Sequence, residues 1–156
     1  MHKQRIYLDT SVIGGCFDIE FAEWSNKLID EFIVGKRLAV VSEIVFKEIN
    51  AAPPRVINRL NDIPVDDLMI VDINNEIESL ADEYLKANII TDKYYDDALH
   101  IACATFYNVD ILVSWNFKHI VNYNRIIKYN SINLLNGFKT LEIRNPKEVI
   151  SDEEGI

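Results

Sequence analysis

Short apolar runs that end in an acid or an amide are the feature of this sequence that most limits its fold. Ile6-Tyr7-Leu8 is followed at once by Asp9, and Ile111-Leu112-Val113-Ser114 is followed by Trp115 and Asn116. Leu38-Ala39-Val40-Val41 is a wholly apolar run, which is typical of a strand buried in a parallel sheet. The carboxyl ends of such strands meet at one edge of the sheet, so the side chains that follow them converge in a crevice. The pattern predicts a polar site in that crevice.

Helix and strand signals alternate along the chain, which favours α/β layers over an all-helical bundle. The predicted strands are 5–8, 38–41, 69–71 and 111–114. The predicted helices are 21–34, 43–49 (capped by Ser42), 55–60, 74–87, 95–107 and 117–123. We interpret residues 1–150 as one domain and residues 151–156 as an acidic, mobile tail.

The size and composition of the chain are those of a single domain. Its 156 residues are 49% hydrophobic, which is enough for a sizeable core. No run approaches the length of about 18 apolar residues that a membrane span needs, and the first residues lack the apolar region of a signal peptide. Two cysteines, Cys16 and Cys103, do not make a disulfide framework. We therefore expect a cytoplasmic protein with no membrane partner.

Charge is distributed unevenly along the chain. The net charge of -9 disfavours broad, non-specific binding of nucleic acid through surface charge. The stretch from Ile111 to Leu141 nevertheless contains no Asp or Glu, and its basic residues include Lys118, Arg125 and Lys128. This pattern is compatible with a surface that contacts phosphate and equally with an ordinary solvated face.

Two acids in the first third of the chain are candidates for the polar site. Asp9 is followed by two hydroxyl residues, Thr10 and Ser11, which can hold its carboxylate or bind phosphate; the alternative is a simple turn cap. Glu48 belongs to a helix whose apolar residues face the core, so its side chain can reach the inner edge of that helix. A solvated position is the alternative for Glu48, and Glu43 is a competing candidate.

The other candidates lie near the start of the most apolar helix and after the last strand. Asp96 and Asp97 stand at a helix N-terminus, where the macrodipole favours negative charge, so one acid can cap while the other faces a site. His100 shares the helical face of Asp97 and can hydrogen-bond that acid or bind a metal. The carbonyl oxygen of Asn116 can coordinate a cation or orient water, or Asn116 is a turn residue.

Several oxygen donors in one crevice suit a hard divalent cation such as Mg²⁺ or Mn²⁺. The residue types therefore indicate metal-dependent phosphate chemistry. The chain has no glycine-rich phosphate loop and no Gly-x-Gly-x-x-Gly run, which argues against a nucleotide cofactor.

Four runs of the sequence, taken in order, resemble those of the PIN-domain nucleases and in particular the VapC-like toxin branch. They are Tyr7–Ile13, Ser42–Ile49, Asp97–Ala104 and Leu112–His119, and the resemblance covers the chain from Ile6 to about Asn122. It implies a three-layer α/β/α sandwich around a parallel sheet, and Mg²⁺- or Mn²⁺-dependent cleavage of single-stranded or structured RNA.

The resemblance also implies roles for individual residues. By this resemblance, the metal is bound by Asp9, Glu48 and Asp97, and the hydroxyl group of Thr10 or Ser11 supports the site. Many members of the family carry Asp where this chain has Asn116. The Asn removes one negative charge from the site, so whether a second metal ion binds is left open.

Partners follow from the same resemblance. Toxin-like members form homodimers and are silenced by a small antitoxin protein that covers the acidic pocket, although a branch without that pairing is the alternative for this chain. We expect Lys118, Arg125 and Lys128 to contact the backbone of an RNA substrate. Two other readings stay open: a domain of the same fold that binds RNA or protein without cutting, and a phosphohydrolase acting on a small molecule.

Overall fold

A computed structural model describes residues 3–154 of the chain. Within this range the backbone forms one sheet of five strands in the order β3-β2-β1-β4-β5, and every pair of neighbours is parallel. The strands are β1 (Arg5–Leu8), β2 (Leu38–Ser42), β3 (Leu68–Val71), β4 (Ile111–Val113) and β5 (Ile143–Arg144). The α-helices are α1 (Thr10–Gly14), α2 (Ala22–Ile33), α3 (Glu43–Ile49), α4 (Pro54–Asn61), α5 (Asn75–Lys86), α6 (Tyr95–Phe106), α7 (Tyr123–Leu135) and α8 (Pro146–Glu154).

The helices cover both faces of the sheet and form two separate hydrophobic cores. One core packs Tyr7 of β1 against apolar residues of α5, α6 and α7. The other packs Ile6 and Leu8 of the same strand against α1, α2, α4 and α8. Neighbouring residues of β1 therefore point to opposite faces and are buried on both, as is usual in a parallel sheet with helices on both sides. The predicted three-layer α/β/α sandwich around a parallel sheet is confirmed.

The order in which strands are added to the sheet changes direction at the central strand β1. From β1 the chain proceeds outward to β2 and β3, and it then returns to add β4 and β5 on the other side of β1. The carboxyl ends of β1 and β4 lie side by side, with Leu8 paired with Val113. Ligands of open α/β sheets bind in the crevice beyond such a switch point. The sequence places Asp9 and Ser114 directly after these two strands.

The structure corrects one predicted helix and adds elements that the pattern does not reveal. Residues 117–120 form a turn instead of the predicted helix 117–123, because the amides of Ile120 and Val121 both bond the Asn116 carbonyl. The helix begins at Tyr123, where the Asn122 side chain accepts a hydrogen bond from the Arg125 amide and caps it. The short elements α1 and β5 are not predicted from the sequence.

The C-terminal segment continues as helix α8 as far as Glu154, so residues 151–154 of the predicted tail have helical backbone, and residues 155–156 lie outside the described range. Both cysteines are buried free thiols. None of the helices in residues 3–154 combines the length and the apolar character needed to cross a bilayer.

Candidate active site

The Asp9 carboxylate is buried at the carboxyl end of β1 and is held by hydroxyl groups from two strand ends. The residue caps helix α1 and is 4% exposed. Its Oδ1 accepts hydrogen bonds from the Ser11 amide at 3.1 Å and the Ser11 hydroxyl at 2.5 Å. The Ser114 hydroxyl, just past β4, donates to Oδ2 at 2.9 Å. The orientation of the carboxylate is therefore fixed by both sides of the switch point.

Ser114 is not among the residues that the sequence predicts for the site. Its hydroxyl also accepts a hydrogen bond from the Asn116 amide at 2.9 Å, so it links the carboxylate of Asp9 to the segment that carries Asn116. The available signal was its position: like Thr10 and Ser11, it is a hydroxyl residue directly after a buried strand.

The Glu48 carboxylate receives two partners on one oxygen. The Thr10 hydroxyl donates to Oε1 at 2.9 Å, and Nε2 of His100 lies 2.6 Å from the same atom. Nδ1 of His100 lies 2.7 Å from the Tyr7 hydroxyl, which in turn lies 2.7 Å from the Ser42 hydroxyl. Glu48 therefore stands at the end of a chain of hydrogen bonds that runs back to the ends of β1 and β2.

This chain of contacts decides between alternatives that the sequence leaves open. Glu48, and not Glu43, faces the site: the Glu43 carboxylate is exposed and accepts from the Ile73 amide at 3.1 Å. His100 is 1% exposed, and its two ring nitrogens contact Tyr7 and Glu48, whereas the sequence suggests a contact with Asp97.

Asp97 and Asn116 form the third part of the site. Asp97 is half-buried in the first turn of α6, and its Oδ2 accepts a hydrogen bond from Nδ2 of Asn116 at 3.2 Å. The carbonyl oxygen of Asn116 accepts from the His119 amide at 2.9 Å, which fixes the orientation of its side chain. Asp96 instead approaches Lys47, with its Oδ2 3.7 Å from Nζ of that residue. The two neighbouring acids therefore diverge, as expected from the helix geometry.

Burial, and to a lesser extent neighbouring acids, raise the pKa values of Asp97 and Asp9. Burial raises the pKa of Asp97 to about 6, and the negative charges of Asp9 and Glu48 add to this effect against the opposing influence of His100 and Asn116. Burial also raises the pKa of Asp9, although His100 and the two serine hydroxyls oppose it. The three carboxylates therefore form one electrostatic unit, and each ionisation makes the next less favourable.

His100 offsets part of this negative charge. Burial alone would lower its pKa, but the contact with Glu48 and the charges of Asp9 and Asp97 outweigh burial and raise it. Burial of Glu48 would raise its pKa, but the contacts with His100 and Thr10 outweigh burial and lower it. Glu48 and His100 therefore form a hydrogen-bonded pair in which each side chain favours the charged form of the other.

Two of the three acids, Glu48 and Asp97, open onto a cavity that has cationic side chains at its edge. Glu48 and Asp97 line a cavity of about 360 Å³, together with Asp92, Lys93, Tyr94, Tyr95 and Asp96. Nζ of Lys93 lies 5.5 Å from the centre of the Tyr94 ring, and Nζ of Lys118 lies 5.9 Å from it. Positive charge therefore borders an acidic pocket.

The donor set fits a hard divalent cation in its chemistry. The side chains of Asp9, Glu48 and Asp97 offer carboxylate oxygens. Burial raises the pKa of Asp97 most and the charges of Asp9 and Glu48 add to it, and a bound cation would favour the ionised carboxylate against both effects. In the part of the chain that the structure describes, no three acidic, histidine or cysteine side chains form a ready-made ligand set. Joint ligation by these three acids therefore requires side-chain adjustment.

The basic residues predicted to contact RNA differ in their surroundings. Lys118 is exposed beside the cavity, and Lys128 is exposed on α7. Arg125 instead donates to the Ile89 carbonyl at 2.9 Å and lies 3.2 Å from Nδ1 of His119. Arg125 therefore holds the segment that follows Asn116.

Solved structures with the same fold come from toxin–antitoxin systems. VapBC2 from Rickettsia felis, bound to a DNA fragment from its promoter, matches with a TM-score of 0.56 at 15% identity, over 91% of this chain and 98% of the other. A toxin–antitoxin complex from Klebsiella pneumoniae matches with a TM-score of 0.55 at 14% identity, over 73% and 88%. VapC20 from Mycobacterium tuberculosis, described as a sarcin-ricin loop cleaving toxin, matches with a TM-score of 0.56 at 11% identity, over 73% and 92%.

No protein-family model matches the sequence, and no curated protein matches it. The likeness is therefore one of fold, and the fold is that of a VapC-like PIN domain.

Proposed function

We propose that this chain is a ribonuclease that hydrolyses RNA phosphodiester bonds with Mg²⁺ or Mn²⁺ held by Asp9, Glu48 and Asp97. One observation carries the proposal: three carboxylates, one just past β1 and the others on α3 and α6, converge beyond the switch point of the sheet, where burial and then the charges of Asp9 and Glu48 raise the pKa of Asp97. A raised pKa of this kind has no structural benefit, and a bound cation would offset it.

The neighbours of these acids have positioning roles. Ser11 and Ser114 orient Asp9, and Thr10 and His100 orient Glu48. A divalent cation bound here supplies a water of lowered pKa and neutralises the charge that develops on phosphorus. Asn116 keeps its amide directed at Asp97 and orients that carboxylate.

An RNA substrate is supported by the charges around the cavity and by one structural neighbour. Lys118 stands at the rim of the acidic cavity, where its ammonium group would contact a backbone phosphate, and Lys128 extends the same acid-free stretch. VapC20, which shares the fold, is described as cleaving the sarcin-ricin loop. In our proposal water attacks phosphorus and the bond to the 3′ oxygen breaks, which leaves a 5′-phosphate and a 3′-hydroxyl.

We further propose that the chain acts as the toxin of a toxin–antitoxin pair in the cytoplasm, as a homodimer bound by an antitoxin. The Rickettsia felis and Klebsiella pneumoniae neighbours are structures of such pairs.

Arg125 would act indirectly in this enzyme, because it holds His119 beside Asn116 instead of reaching outward.

A second candidate function is binding of RNA or protein without cleavage. It is favoured by Asn116, which lowers the charge of the site, and by the lack of a ready-made ligand set in residues 3–154. Metal-dependent cleavage distinguishes the two functions directly.

The decisive experiment compares wild type, Asp9→Asn and a control variant on a panel of single-stranded and structured RNAs with Mg²⁺, Mn²⁺ or EDTA. Asp66→Asn is the control, because Asp66 is exposed in a turn before β3. We expect cleavage by wild type and Asp66→Asn with metal, and none with EDTA or with Asp9→Asn. Circular dichroism should show that Asp9→Asn stays folded.

Two outcomes would contradict the proposal. Cleavage that survives in folded Asp9→Asn would mean that the acids are not the active site. Binding of RNA without cleavage in any metal would favour the second candidate.

A further inference from the structure

A second cavity lies next to the acids, on the side of α1 and α2. It has a volume of about 290 Å³ and is lined by Ser11, Gly14, Gly15, Asp18, Phe21, Trp115 and Asn116. We call it the aromatic cavity. Two of its lining residues also hold the acids, because Ser11 donates to Asp9 and Asn116 donates to Asp97. The aromatic cavity therefore adjoins the acids through Ser11 and Asn116.

Two aromatic residues, Phe21 and Trp115, form one wall of the aromatic cavity. The rings of Phe21 and Trp115 are stacked, with centroids 4.2 Å apart and planes inclined by 17°. Phe117 lies beside both, at 6.4 Å from Phe21 and 6.1 Å from Trp115, and is 47% exposed. Exposure of a large aromatic side chain beside a polar site is typical of a surface that stacks on a ligand ring.

The wall is rigid. The indole Nε1 of Trp115 donates to the Ser25 hydroxyl at 2.8 Å, and its backbone amide donates to the Ser11 hydroxyl at 2.9 Å. The Ser25 hydroxyl donates to the Val12 carbonyl at 2.7 Å, so the indole is anchored to α1. A wall that is already ordered loses little conformational entropy when a planar ligand binds.

The floor of the aromatic cavity is open at Gly14. A Cβ atom added there would meet no heavy atom within 4 Å, and Gly14 has an ordinary helical backbone with φ of -61°. A side chain at this position would therefore enter open space at the cavity without backbone strain.

We propose that the aromatic cavity binds one unstacked nucleobase of a single-stranded RNA whose phosphate lies at the acids. This inference rests on the proposed function and adds a base-binding subsite to it. Stacking between a base and an aromatic side chain needs a base that has left its helix, so the subsite selects single strands and loops.

Asp18 gives this subsite a preference among bases. Asp18 is an exposed lining residue of the cavity. Its Oδ1 accepts from the Glu20 amide at 2.8 Å, and a carboxylate has further acceptor capacity. Carboxylates accept hydrogen bonds from the exocyclic amino group of cytosine, and adenine carries such a group too, whereas uracil carries none. The aromatic cavity therefore prefers an amino-bearing base over uracil.

The test measures binding of oligo(A), oligo(C) and oligo(U) with Mg²⁺ in the Asp9→Asn background, where one acidic charge is removed and no cleavage is expected. Trp24→Phe leaves Trp115 as the single tryptophan, so that quenching of its fluorescence reports a base in the cavity. We expect oligo(C) and oligo(A) to bind about fivefold more tightly than oligo(U), and Gly14→Leu to weaken binding about tenfold. Ala87→Leu, at an exposed site after α5, is the control and should bind as the parent does.

Asp18→Asn and Phe117→Ala separate the two parts of the subsite. Asp18→Asn should remove the preference for oligo(C) over oligo(U). The measured quantity is the ratio of the two dissociation constants, because a change in net charge affects both oligonucleotides alike and leaves their ratio unchanged. Phe117→Ala should weaken binding of every oligonucleotide, whereas Leu135→Ala, at an exposed apolar residue of α7, should not.

Each outcome bears separately on the subsite and on the nuclease. The subsite is wrong if Gly14→Leu binds RNA as the parent does, or if no oligonucleotide quenches the fluorescence of Trp115. This holds even where metal-dependent cleavage is found. An apolar side chain of a protein partner then becomes the better occupant of the cavity. If binding depends on Gly14 and Asp18 as expected but no metal supports cleavage, the subsite stands and the nuclease proposal fails.

Discussion

Two neighbouring glycines should respond in opposite ways to the same substitution. Gly14 and Gly15 both have helical backbone, with φ of -61° and -59°, so alanine fits either conformation. They differ in what a new methyl group would touch. At Gly14 it meets no heavy atom within 4 Å, whereas at Gly15 it would lie 2.7 Å from Oγ of Ser25 and 2.9 Å from Nε1 of Trp115.

The expected magnitudes follow from these contacts. Gly14→Ala should raise the free energy of unfolding by about 0.4–1 kcal/mol, because alanine restricts the unfolded chain. Gly15→Ala has the same benefit but forces apart atoms that are hydrogen-bonded at 2.8 Å, and overpacking of this kind costs about 1–3 kcal/mol. The difference between the variants isolates the cost of the contact, because the backbone contribution is common to both.

The assay is urea unfolding followed by circular dichroism, with thermal melting as a second measurement. For a domain of this length, 1 kcal/mol corresponds to roughly 2–4 °C in Tm, so the two variants should differ by several degrees. If Gly15→Ala is as stable as Gly14→Ala, the close packing of Gly15 against Trp115 is wrong, and with it the rigid wall of the aromatic cavity.

Two further predictions concern the acids. Since burial and its acidic neighbours raise the pKa of Asp97 to about 6, its ionised form destabilises the fold above that pH. Asp97→Asn should therefore raise the free energy of unfolding by about 1–3 kcal/mol at pH 8 in EDTA, and by much less at pH 4, where Asp97 is protonated in the folded state. Equal gains at both pH values in urea titrations would contradict this. Asn116→Asp replaces the amide that donates to Asp97 with a further carboxylate, so Mg²⁺ should bind on the order of tenfold more tightly in titration calorimetry. An unchanged affinity would mean that Asn116 lies outside the metal site.

The sequence predicts the sheet and the position of the acids because both depend on local pattern. Apolar runs identify β1 to β4, and the order of strands and helices favours a parallel sheet. In such a sheet the carboxyl ends of all strands lie at the same edge. This constraint alone places Asp9 and Asn116 at the same edge. β5 escapes detection because two residues, Ile143 and Arg144, are too short a run to show a period.

The contacts within the site depend on distances between elements, which the sequence does not specify. His100 was expected near Asp97, three residues away on α6, but its ring contacts Glu48 on α3 and Tyr7 on β1. Tyr7 resembles any other apolar strand residue in sequence, and its hydroxyl acquires a role only when the helices pack. The metal, the homodimer and the cytoplasmic location stay predictions.

The hydrogen bonds behind Glu48 tie the site to the register of the sheet. Tyr7 reaches Ser42 and His100 because β1 pairs with β2 so that Tyr7 lies opposite Val40. A slip of one residue would turn Tyr7 to the other face of the sheet and separate its hydroxyl from both partners. A chain with mispaired strands would therefore be unable to build its acidic centre, so that correct strand pairing and assembly of the site are a single event.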